Sequence, residues 1–529
     1  MTRITGDIRG GDYASAGSAS KEIKTALKRI GVAPATVRRA MVAVYEAEMN
    51  VVIHARAGHI HAAVTPKSLE VQVSDTGPGI SDIAEAMREG YSTAPPEARE
   101  LGFGAGMGLP NIRKNTDRFS IHSEVNKGTQ LQFAIRLTPQ YHRETYTASV
   151  SIAPEKCKHC LRCLHVCPTQ AIRIRDGAPM ILPPLCIDCT ACRAHCPAHV
   201  YGIKCPATLP DANHALTLHL PAPMRGQFGE HVSEKAFRKM LEALGWERVW
   251  LSDGWERALA AAVQKYAHET DSSTLLLPPV CPAVINLIQV RYPALLKYVA
   301  PFFSALEAAR ESLQNSTGIF VTPCAALCTL ACQSSVLQPC SAVSPEKLLR
   351  SLTAKHVDKR TSPVTPVDAG SMEEGATVTI TGIERVCQFL DEAEEGRVDD
   401  CGIANLYACD SGCYGAPVWP EHPEVSRHRS RTTAQYREPA ATAMYRPKPL
   451  EARAGMRLDP DMKCAIQKLA KIDRVRAALP GRDCGVCGSP TCMALAEDIV
   501  MGRAAADACV YSNRNDMINR LLSDEESSS

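Results

Sequence analysis

The sequence predicts a multidomain protein of the α/β and α+β classes, and three observations lead to this prediction. Residues 1–140 alternate helix and strand patterns and contain no cysteine. Residues 157–197 hold eight cysteines at regular spacing, and later cysteines occupy short motifs between further helices and strands. A chain of 529 residues is long enough for roughly three to four domains.

The composition indicates globular domains in a reducing compartment. Hydrophobic residues make up 45% of the chain and charged residues 22%, with a net charge of +2. This balance predicts no binding to nucleic acid or to an anionic membrane surface. No apolar run approaches the roughly 20 residues that cross a bilayer, and the N-terminus lacks a signal-peptide core. The 23 cysteines therefore indicate metal centres in a cytoplasmic protein, in an anaerobic host, rather than disulfides.

The first 140 residues hold several short motifs in a fixed order. A helix predicted from Pro34 to about Arg56 places Glu46 and Asn50 one turn apart on the same face. The motifs that follow are an alternating strand ending in D-x-G-x-G at 75–79, a glycine-rich loop at 102–108, and a turn at 126–129 between two closing strands.

In order and spacing these motifs resemble the GHKL ATPases, an α/β sandwich that binds nucleotide between helices and sheet. The nearest branch is that of the anti-sigma factors and switch kinases, whose members phosphorylate serine or threonine on small STAS-domain proteins. The resemblance implies that Glu46 accepts the proton of the attacking hydroxyl, Asn50 binds Mg²⁺, and Asp75 accepts a hydrogen bond from adenine. The other implied nucleotide-site residues are Gly77, Gly79, Gly102, Gly104, Gly106, Gly108 and Thr129. The loop at 94–101 is longer than is expected for this branch. Closure of the lid over the nucleotide is therefore expected to differ from that in the family.

Residues 145–208 contain the strongest chemical pattern in the chain. The motif C-x2-C-x2-C-x3-C-P occurs twice and resembles bacterial two-cluster ferredoxins, an α+β module that carries two [4Fe–4S] clusters. In that family the fourth cysteine of each half binds the other cluster. The implied ligands are Cys157, Cys160, Cys163 and Cys196 for one cluster, and Cys186, Cys189, Cys192 and Cys167 for the other. Two zinc sites are the alternative, since CxxC pairs also bind zinc.

Residues 212–420 carry three cysteine motifs that lie far apart in the sequence. They are P-P-V-C at 278–281, T-P-C at 322–324 after an apolar strand, and C-x3-C at 409–413. Their order resembles the two-lobed α/β large subunit of [FeFe]-hydrogenases, in which such cysteines hold one [4Fe–4S] cluster and one of them bridges to a di-iron centre. The implied ligands are Cys281, Cys324, Cys409 and Cys413, with Cys413 as the bridge.

This region departs from the hydrogenase pattern at three positions. Val280 stands where the family has a proton-donating cysteine, and Leu327 and Leu330 stand where it has a lysine and a glutamate. Valine and leucine neither relay protons nor donate hydrogen bonds to iron-bound cyanide. Hydrogenase activity is therefore expected to be weak or absent. Either a slow, sensory di-iron centre or the [4Fe–4S] cluster alone fits these departures.

The sequence of residues 421–529 predicts a linker followed by one small domain and a tail. Residues 421–455 are polar and punctuated by proline, which predicts a linker, and residues 516–529 are expected to be disordered. Between them, residues 456–515 contain C-x2-C-x4-C-x16-C and resemble a small helical Fe–S domain of electron-transport and corrinoid-handling proteins. The implied ligands are Cys484, Cys487, Cys492 and Cys509, with zinc again the alternative. The cysteines left without a role are Cys205, Cys328, Cys332, Cys340, Cys387, Cys401 and Cys464.

The expected cofactors are about four [4Fe–4S] clusters, ATP and Mg²⁺, with a di-iron subcluster left open. Three hypotheses follow. The first is a regulatory protein that senses H₂ or redox state and controls a serine/threonine kinase acting on a STAS-domain partner, with a redox protein as a second partner and a homodimer as a considered assembly. The second is an enzyme, a slow [FeFe]-hydrogenase or an ATP-coupled electron-transfer protein. The third is a scaffold gated by ATP. We prefer the first because a kinase-type site is joined to a hydrogenase-like site without its proton relay.

Overall fold

The structure is a computed structural model, and it divides the chain into two compact units. The first unit is Met1–Arg143 with Ala454–Ser529, and the second is Glu144–Arg453. Within the described part of the chain, no helix is long and apolar enough to span a membrane. The structure describes residues 2–13, 16–100, 104–138, 146–205, 209–212, 216–228, 232, 234–270, 275–313, 317–332, 340–355, 377–394, 397–398, 402–431, 444–453 and 457–511.

The N-terminal part of the first unit is an antiparallel five-stranded sheet with helices packed on it. The elements in chain order are β1 (Thr2–Arg9), α1 (Ser18–Arg29), α2 (Pro34–His54), β2 (Ala57–Val64), β3 (Ser68–Asp75), α3 (Ile83–Ala86), α4 (Pro96–Glu100), α5 (Gly108–Asn115), β4 (Arg118–Glu124) and β5 (Gly128–Arg136). The strand order is β1-β2-β3-β5-β4. Along β3, Leu69, Val71 and Val73 are buried, as the alternating sequence predicts, and α2 covers this buried face.

The second unit begins with two short antiparallel strand pairs. The elements are β6 (Val150–Ile152), α6 (Arg162–Val166), β7 (Ile172–Arg175), β8 (Ala178–Ile181), α7 (Ala191–Ala194) and β9 (Tyr201–Ile203). Strand β6 pairs antiparallel with β9, and β7 pairs antiparallel with β8. The first and last strands therefore close the module, which gives the α+β arrangement that the sequence predicts.

The rest of the second unit contains two parallel sheets with helices around them. The elements are β10 (Leu216–Leu220), α8 (Glu234–Glu242), β11 (Val249–Leu251), α9 (Asp253–Glu269), α10 (Pro282–Arg291), α11 (Ala305–Glu311), β12 (Thr317–Val321), α12 (Ala325–Cys332), β13 (Cys340–Val343), α13 (Pro345–Lys355), β14 (Thr377–Thr381), α14 (Ile383–Glu394), β15 (Ile403–Tyr407) and α15 (Pro423–Arg431). One sheet has the order β11-β10-β12-β13 and the other pairs β14 with β15. This is an α/β region, as the sequence predicts.

The segment predicted as a linker, 421–455, is packed structure where it is described. Helix α15 lies in this segment, and its Ser426 is fully buried. The Gln227 side-chain amide donates a hydrogen bond to Ser426 Oγ over 3.0 Å. Further along, the Phe303 amide donates to the Met444 carbonyl over 2.6 Å. The prediction missed this packing because serine contacts replace the apolar periodicity that marks a buried helix.

The C-terminal part returns to the first unit. Its elements are α16 (Met462–Ala478) and α17 (Cys492–Val500). Ile466, Leu469 and Ile472 of α16 join the same apolar core as Ile4 and Leu27 of the N-terminal part. The predicted tail, 516–529, lies outside the described residues.

Candidate functional site

One end of the candidate nucleotide site lies where α2 meets the start of α5. The Asn111 side-chain amide donates a hydrogen bond to Glu46 Oε1 over 2.8 Å. A Cβ atom at Gly108 would lie 3.0 Å from Asn50 Oδ1 and 3.4 Å from Glu46 Oε2. Glu46 and Asn50 therefore lie together, and glycine at 108 leaves space beside them. The sequence analysis missed Asn111, although its position one turn after Gly108 on α5 was a usable signal.

The other end of this site is organised by Asp75, at the last position of β3. Asp75 Oδ1 accepts hydrogen bonds from the Gly77 amide over 2.8 Å and from the Thr129 amide over 3.2 Å. Gly128 has a φ of +102°, and a Cβ there would lie 2.0 Å from the Asp75 carbonyl oxygen. Only glycine at 128 allows β5 to approach β3 this closely. The carboxylate of Asp75 is thus held in a fixed orientation.

Glycines between these two ends adopt backbone conformations that other residues avoid. Gly79 has a φ of +71°, and Gly104 and Gly106 have φ of +86° and +75°. A Cβ at Gly106 would lie 2.4 Å from the Gly90 carbonyl carbon, and the Gly90 amide donates to the Gly106 carbonyl over 3.0 Å. The loop leading into α5 is therefore fixed against the segment near residue 90. Gly102 lies outside the described residues.

Seven of the eight cysteines of the α+β module fall into two groups, Cys157, Cys160 and Cys163 in one, and Cys167, Cys186, Cys189 and Cys192 in the other. Burial, followed by the neighbouring Cys157 and Cys160, raises the pKa of the Cys163 thiol. Burial, followed by the neighbouring Cys167, raises the pKa of both Cys189 and Cys192. Cys167 thus lies with the second group, although it precedes that group by about twenty residues in sequence.

Cys186 completes the second group. Burial raises the pKa of its thiol, and the neighbouring Cys189 and Cys167 raise it further. Backbone amides donate to the sulfurs of both halves. The Ala171 amide lies 3.2 Å from Cys167 Sγ, and the Val200 amide lies 3.5 Å from Cys196 Sγ. Donors of this kind stabilise thiolate ligands and tune the potential of a cluster.

The two halves of this module repeat the same loop geometry. Three positions in each half adopt left-handed backbone conformations, with φ between +52° and +59°. In each half these positions flank the second cysteine or follow the Cys-Pro pair. The matched residues are His159 and Asp188, Leu161 and Thr190, and Gln170 and His199. Such turns let three cysteines two residues apart point into one space.

Asp188 joins the second cysteine group to the rest of the unit, and the sequence analysis did not single it out. Its carboxylate is buried and accepts hydrogen bonds from the Tyr146 hydroxyl over 2.5 Å, the Ser149 amide over 3.1 Å and the Thr329 hydroxyl over 2.7 Å. Thr329 belongs to α12, the helix that begins one residue after Cys324. These partners come from two segments that lie far from Asp188 in sequence, so no local sequence signal could have found them.

The four hydrogenase-like cysteines lie at the ends of strands or the starts of helices. Cys281 is the residue before α10, Cys324 precedes α12, Cys409 follows β15, and Cys413 lies in the 3-10 turn Gly412–Gly415. Burial, followed by neighbouring groups that include Cys281, raises the pKa of Cys324 to about 12.

These four cysteines face a common space. Burial raises the pKa of Cys413, and Cys281, Cys324 and Cys409 are among the charged neighbours that raise it further. Cys409 also raises the pKa of Cys189. The group therefore lies beside the second cysteine group of the α+β module, within the same unit.

A large cavity opens beside Cys413. Its volume is about 660 Å³, and Val280 and Leu327 line it together with Cys413. Glu256, an exposed residue of α9, also lines the cavity. Ser252 Oγ donates to Glu256 Oε1 over 2.7 Å. The positions that depart from the hydrogenase pattern thus include two in the cavity wall.

The four C-terminal cysteines surround one small cavity in the first unit. Its lining includes Cys484, Cys487, Cys492 and Cys509. Cys492 is the first residue of α17, and its backbone amide donates a hydrogen bond to Asp483 Oδ1 over 2.6 Å. The order and spacing of these cysteines bring all four to one place.

Three family models match separate parts of the chain. Residues 11–135 match a histidine kinase-like ATPase domain. Residues 149–197 match a 4Fe-4S dicluster domain, and residues 479–511 match a model for an Fe-S cluster. The expected combination of a kinase-like ATPase domain with iron–sulfur domains is therefore confirmed.

Solved structures and an electron-transfer protein also resemble parts of the chain. One component of the Na(+)-translocating ferredoxin:NAD(+) oxidoreductase complex of Acetobacterium woodii is 62% identical over 39 residues, which are 7% of this chain and 12% of that component. [FeFe]-hydrogenase HydA1 from Chlamydomonas reinhardtii matches 44% of this chain and 88% of its own chain at 10% identity, with a TM-score of 0.33.

A relative of the N-terminal part matches over a longer stretch. The serine/threonine-protein kinase RsbT of Bacillus subtilis is 32% identical over 109 residues, which are 20% of this chain and 76% of RsbT. Through its N-terminal domain, the chain belongs to the family of histidine kinase-like ATPases that includes RsbT.

Proposed function

We propose that this chain is a serine/threonine kinase for a small STAS-domain protein, and that its iron–sulfur clusters set the rate of phosphate transfer. The convergence of Glu46, Asn50 and Asn111 around Gly108 supports the kinase part. The relationship to RsbT supports transfer to serine or threonine.

The nucleotide-site residues would share the reaction as follows. Asn50 would hold Mg²⁺, which neutralises charge on the phosphates when bound. Glu46, oriented by Asn111, would accept the proton of the attacking hydroxyl. Asp75 would accept a hydrogen bond from the adenine amino group. The backbone amides near Gly104, Gly106 and Gly108 would approach the phosphates at the start of α5.

Contacts between α1 and α17 support coupling of the C-terminal cluster to the kinase site. The guanidinium of Arg29, at the end of α1, lies 3.3 Å from Glu497 Oε2 of α17 and donates to Met493 Sδ over 2.9 Å. Met493 follows Cys492 directly. A second contact joins the C-terminal segment to α1: the Leu458 amide donates a hydrogen bond to the Arg29 carbonyl over 3.2 Å. A change at the C-terminal cluster would therefore act on α1 through α17.

The signal would enter through clusters in the second unit. We propose that the two cysteine groups of the α+β module and the group of Cys281, Cys324, Cys409 and Cys413 each hold one [4Fe–4S] cluster. The proximity of Cys409 to Cys189 supports electron transfer between the last two. With the C-terminal group, this makes about four clusters.

The kinase part is tested by direct phosphate transfer. Purified protein, ATP and a STAS-domain protein are incubated, and the STAS protein is mapped by mass spectrometry. Phosphorylation of one serine or threonine, lost in Asn50→Ala, is the expected result. ATP hydrolysis without phosphoprotein would contradict it and favour an ATP-coupled electron donor. Nucleotide binding without either reaction would favour the ATP-gated scaffold.

The cavity beside Cys413 favours one further candidate, a sensory di-iron centre. In its wall Val280 and Leu327 offer no proton donor, so H₂ turnover would be slow. Infrared spectra of anaerobically matured protein test this: bands of iron-bound CO and cyanide would identify H₂ as the signal. Their absence, with four clusters by iron content, would identify cellular redox state as the signal.

A further inference from the structure

Three cysteines outside the proposed cluster ligands come together in the second unit. Cys328 is buried in α12, while Cys205 and Cys332 are partly exposed. The Cys328 thiol lies 3.7 Å from Cys205 Sγ, and the two residues are 123 positions apart in sequence. The same thiol lies 3.5 Å from the Lys204 carbonyl. Neither Cys205 nor Cys328 has a role in the kinase or the clusters proposed above.

The three thiols differ in pKa. The Cys328 S–H group stabilises negative charge on its neighbours, which lowers the pKa of Cys205 and lowers that of Cys332 to about 7. The pKa of Cys328 is raised by the same two neighbours. A reactive cysteine is partly exposed and has thiolate character, which fits Cys205. A second thiol close by, here Cys328, can act as its resolving cysteine.

We propose that Cys205 and Cys328 form a reversible dithiol–disulfide site that exchanges with low-molecular-weight disulfides. The Cys205 thiolate attacks one sulfur of the small disulfide, forming a mixed disulfide and releasing one thiolate. Cys328 gives its proton to that thiolate and attacks Cys205 Sγ, which releases the second small thiolate. That thiolate takes up the proton that Cys205 gave to solvent when it ionised. In sum, two protein thiols are oxidised to one disulfide, and one small disulfide is reduced to two thiols.

The geometry brings the two sulfurs close to the length of a disulfide bond. They need to approach from 3.7 Å to about 2.05 Å. The bridge would tie the segment after β9 to α12. Since α12 begins one residue after Cys324, oxidation would restrain the helix beside a proposed cluster ligand.

The test is disulfide mapping in the full, cluster-loaded chain. Anaerobic protein is treated with oxidised glutathione, quenched in acid, alkylated and digested without reduction for mass spectrometry. We expect a peptide pair joined through Cys205 and Cys328, while the exposed Cys464 yields only a glutathione adduct. Separately alkylated Cys205 and Cys328 peptides, or a Cys328–Cys332 pair, would overturn the proposal.

Two variants provide matched controls, with iron content checked in each. Cys328→Ala should abolish the joined peptide and leave Cys205 as a stable glutathione adduct, whereas Cys464→Ala should leave the joined peptide unchanged. A stoichiometric metal other than iron that is lost in Cys328→Ala would overturn the proposal in favour of a metal site. Mapping in the unmodified chain decides the matter even where a variant fails to fold.

Discussion

At the residue scale, the proposed chemistry rests on the carboxylate of Glu46. Replacing it by glutamine removes the proton acceptor but keeps the oxygen that accepts from Asn111. Because general-base catalysis contributes about 100-fold or more, Glu46→Gln should lower single-turnover phosphate transfer by that factor with little change in ATP affinity. Glu70→Gln, an exposed site on β3, is the control. Unchanged transfer in Glu46→Gln would exclude Glu46 as the base.

Gly106 offers a second test at this scale, because Gly11 provides a matched control. Both have similar left-handed φ, +75° and +74°, but a Cβ at Gly11 would meet nothing within 4 Å. Gly106→Ala should weaken nucleotide binding about tenfold, taking 1–3 kcal/mol for overpacking, whereas Gly11→Ala should carry only the backbone strain. Calorimetric titration with a non-hydrolysable ATP analogue measures both. Equal effects would show that the contact with Gly90 is unimportant.

The single residues that the sequence predicted are those fixed by local spacing. Glu46 and Asn50 lie one turn apart on a long helix, so their common face followed from the helix period. Asn111 and Asp188 were missed because their roles depend on partners from other segments, Glu46 for one and Thr329 for the other. Contacts of this kind depend on tertiary structure, which a motif does not encode.

At the scale of elements, the packing of α17 on α1 carries the proposed coupling. Arg29→Ala removes the ion pair with the buried Glu497, but Glu497 keeps Arg503 at 3.2 Å. The expected loss of stability is therefore modest, about 1 kcal/mol, measured by thermal unfolding. The variant should also make phosphate transfer less sensitive to cluster oxidation. Arg38→Ala on the exposed side of α2 should do neither, and an equal response of both variants would contradict the account.

The loop between Cys186 and Cys189 supports a prediction about potential. Asp188 places a buried carboxylate beside the second cysteine group. Asp188→Asn removes that charge, so the reduced cluster should be favoured and its midpoint potential should shift to a more positive value. A redox titration followed by electron paramagnetic resonance measures the shift, with the exposed Asp211→Asn as control. A potential that stays the same in Asp188→Asn would contradict this placement.

Elements with strong periodicity or fixed ligand spacing could be predicted from the sequence, and others could not. Helix α2 begins at Pro34, as predicted, because proline favours the first turn of a helix. The sequence predicts a linker at helix α15 because the buried positions of this helix, Ser426 and Ser430, are polar. Its stability comes from hydrogen bonds to residues 223–227, about 200 positions earlier in sequence.

At the scale of the whole molecule, the sequence predicts a series of domains but does not predict how they group into two compact units. Cysteine spacing identifies each iron–sulfur region, because ligation requires fixed separations. That α16 and α17 share a core with β1 and α1 was not predictable, since apolar helix faces carry no label for their partner. This grouping places one cluster domain on the kinase-like domain.

The most direct test of the account is phosphate transfer to a STAS-domain protein at two cluster potentials. One anaerobic preparation is poised oxidised and reduced, and the transfer rate is measured in each state. We predict that the two rates differ by about fivefold or more, the range of ordinary coupling between sites, and that Arg29→Ala reduces the difference. Equal rates in the two states, with active kinase and intact clusters in both, would contradict it.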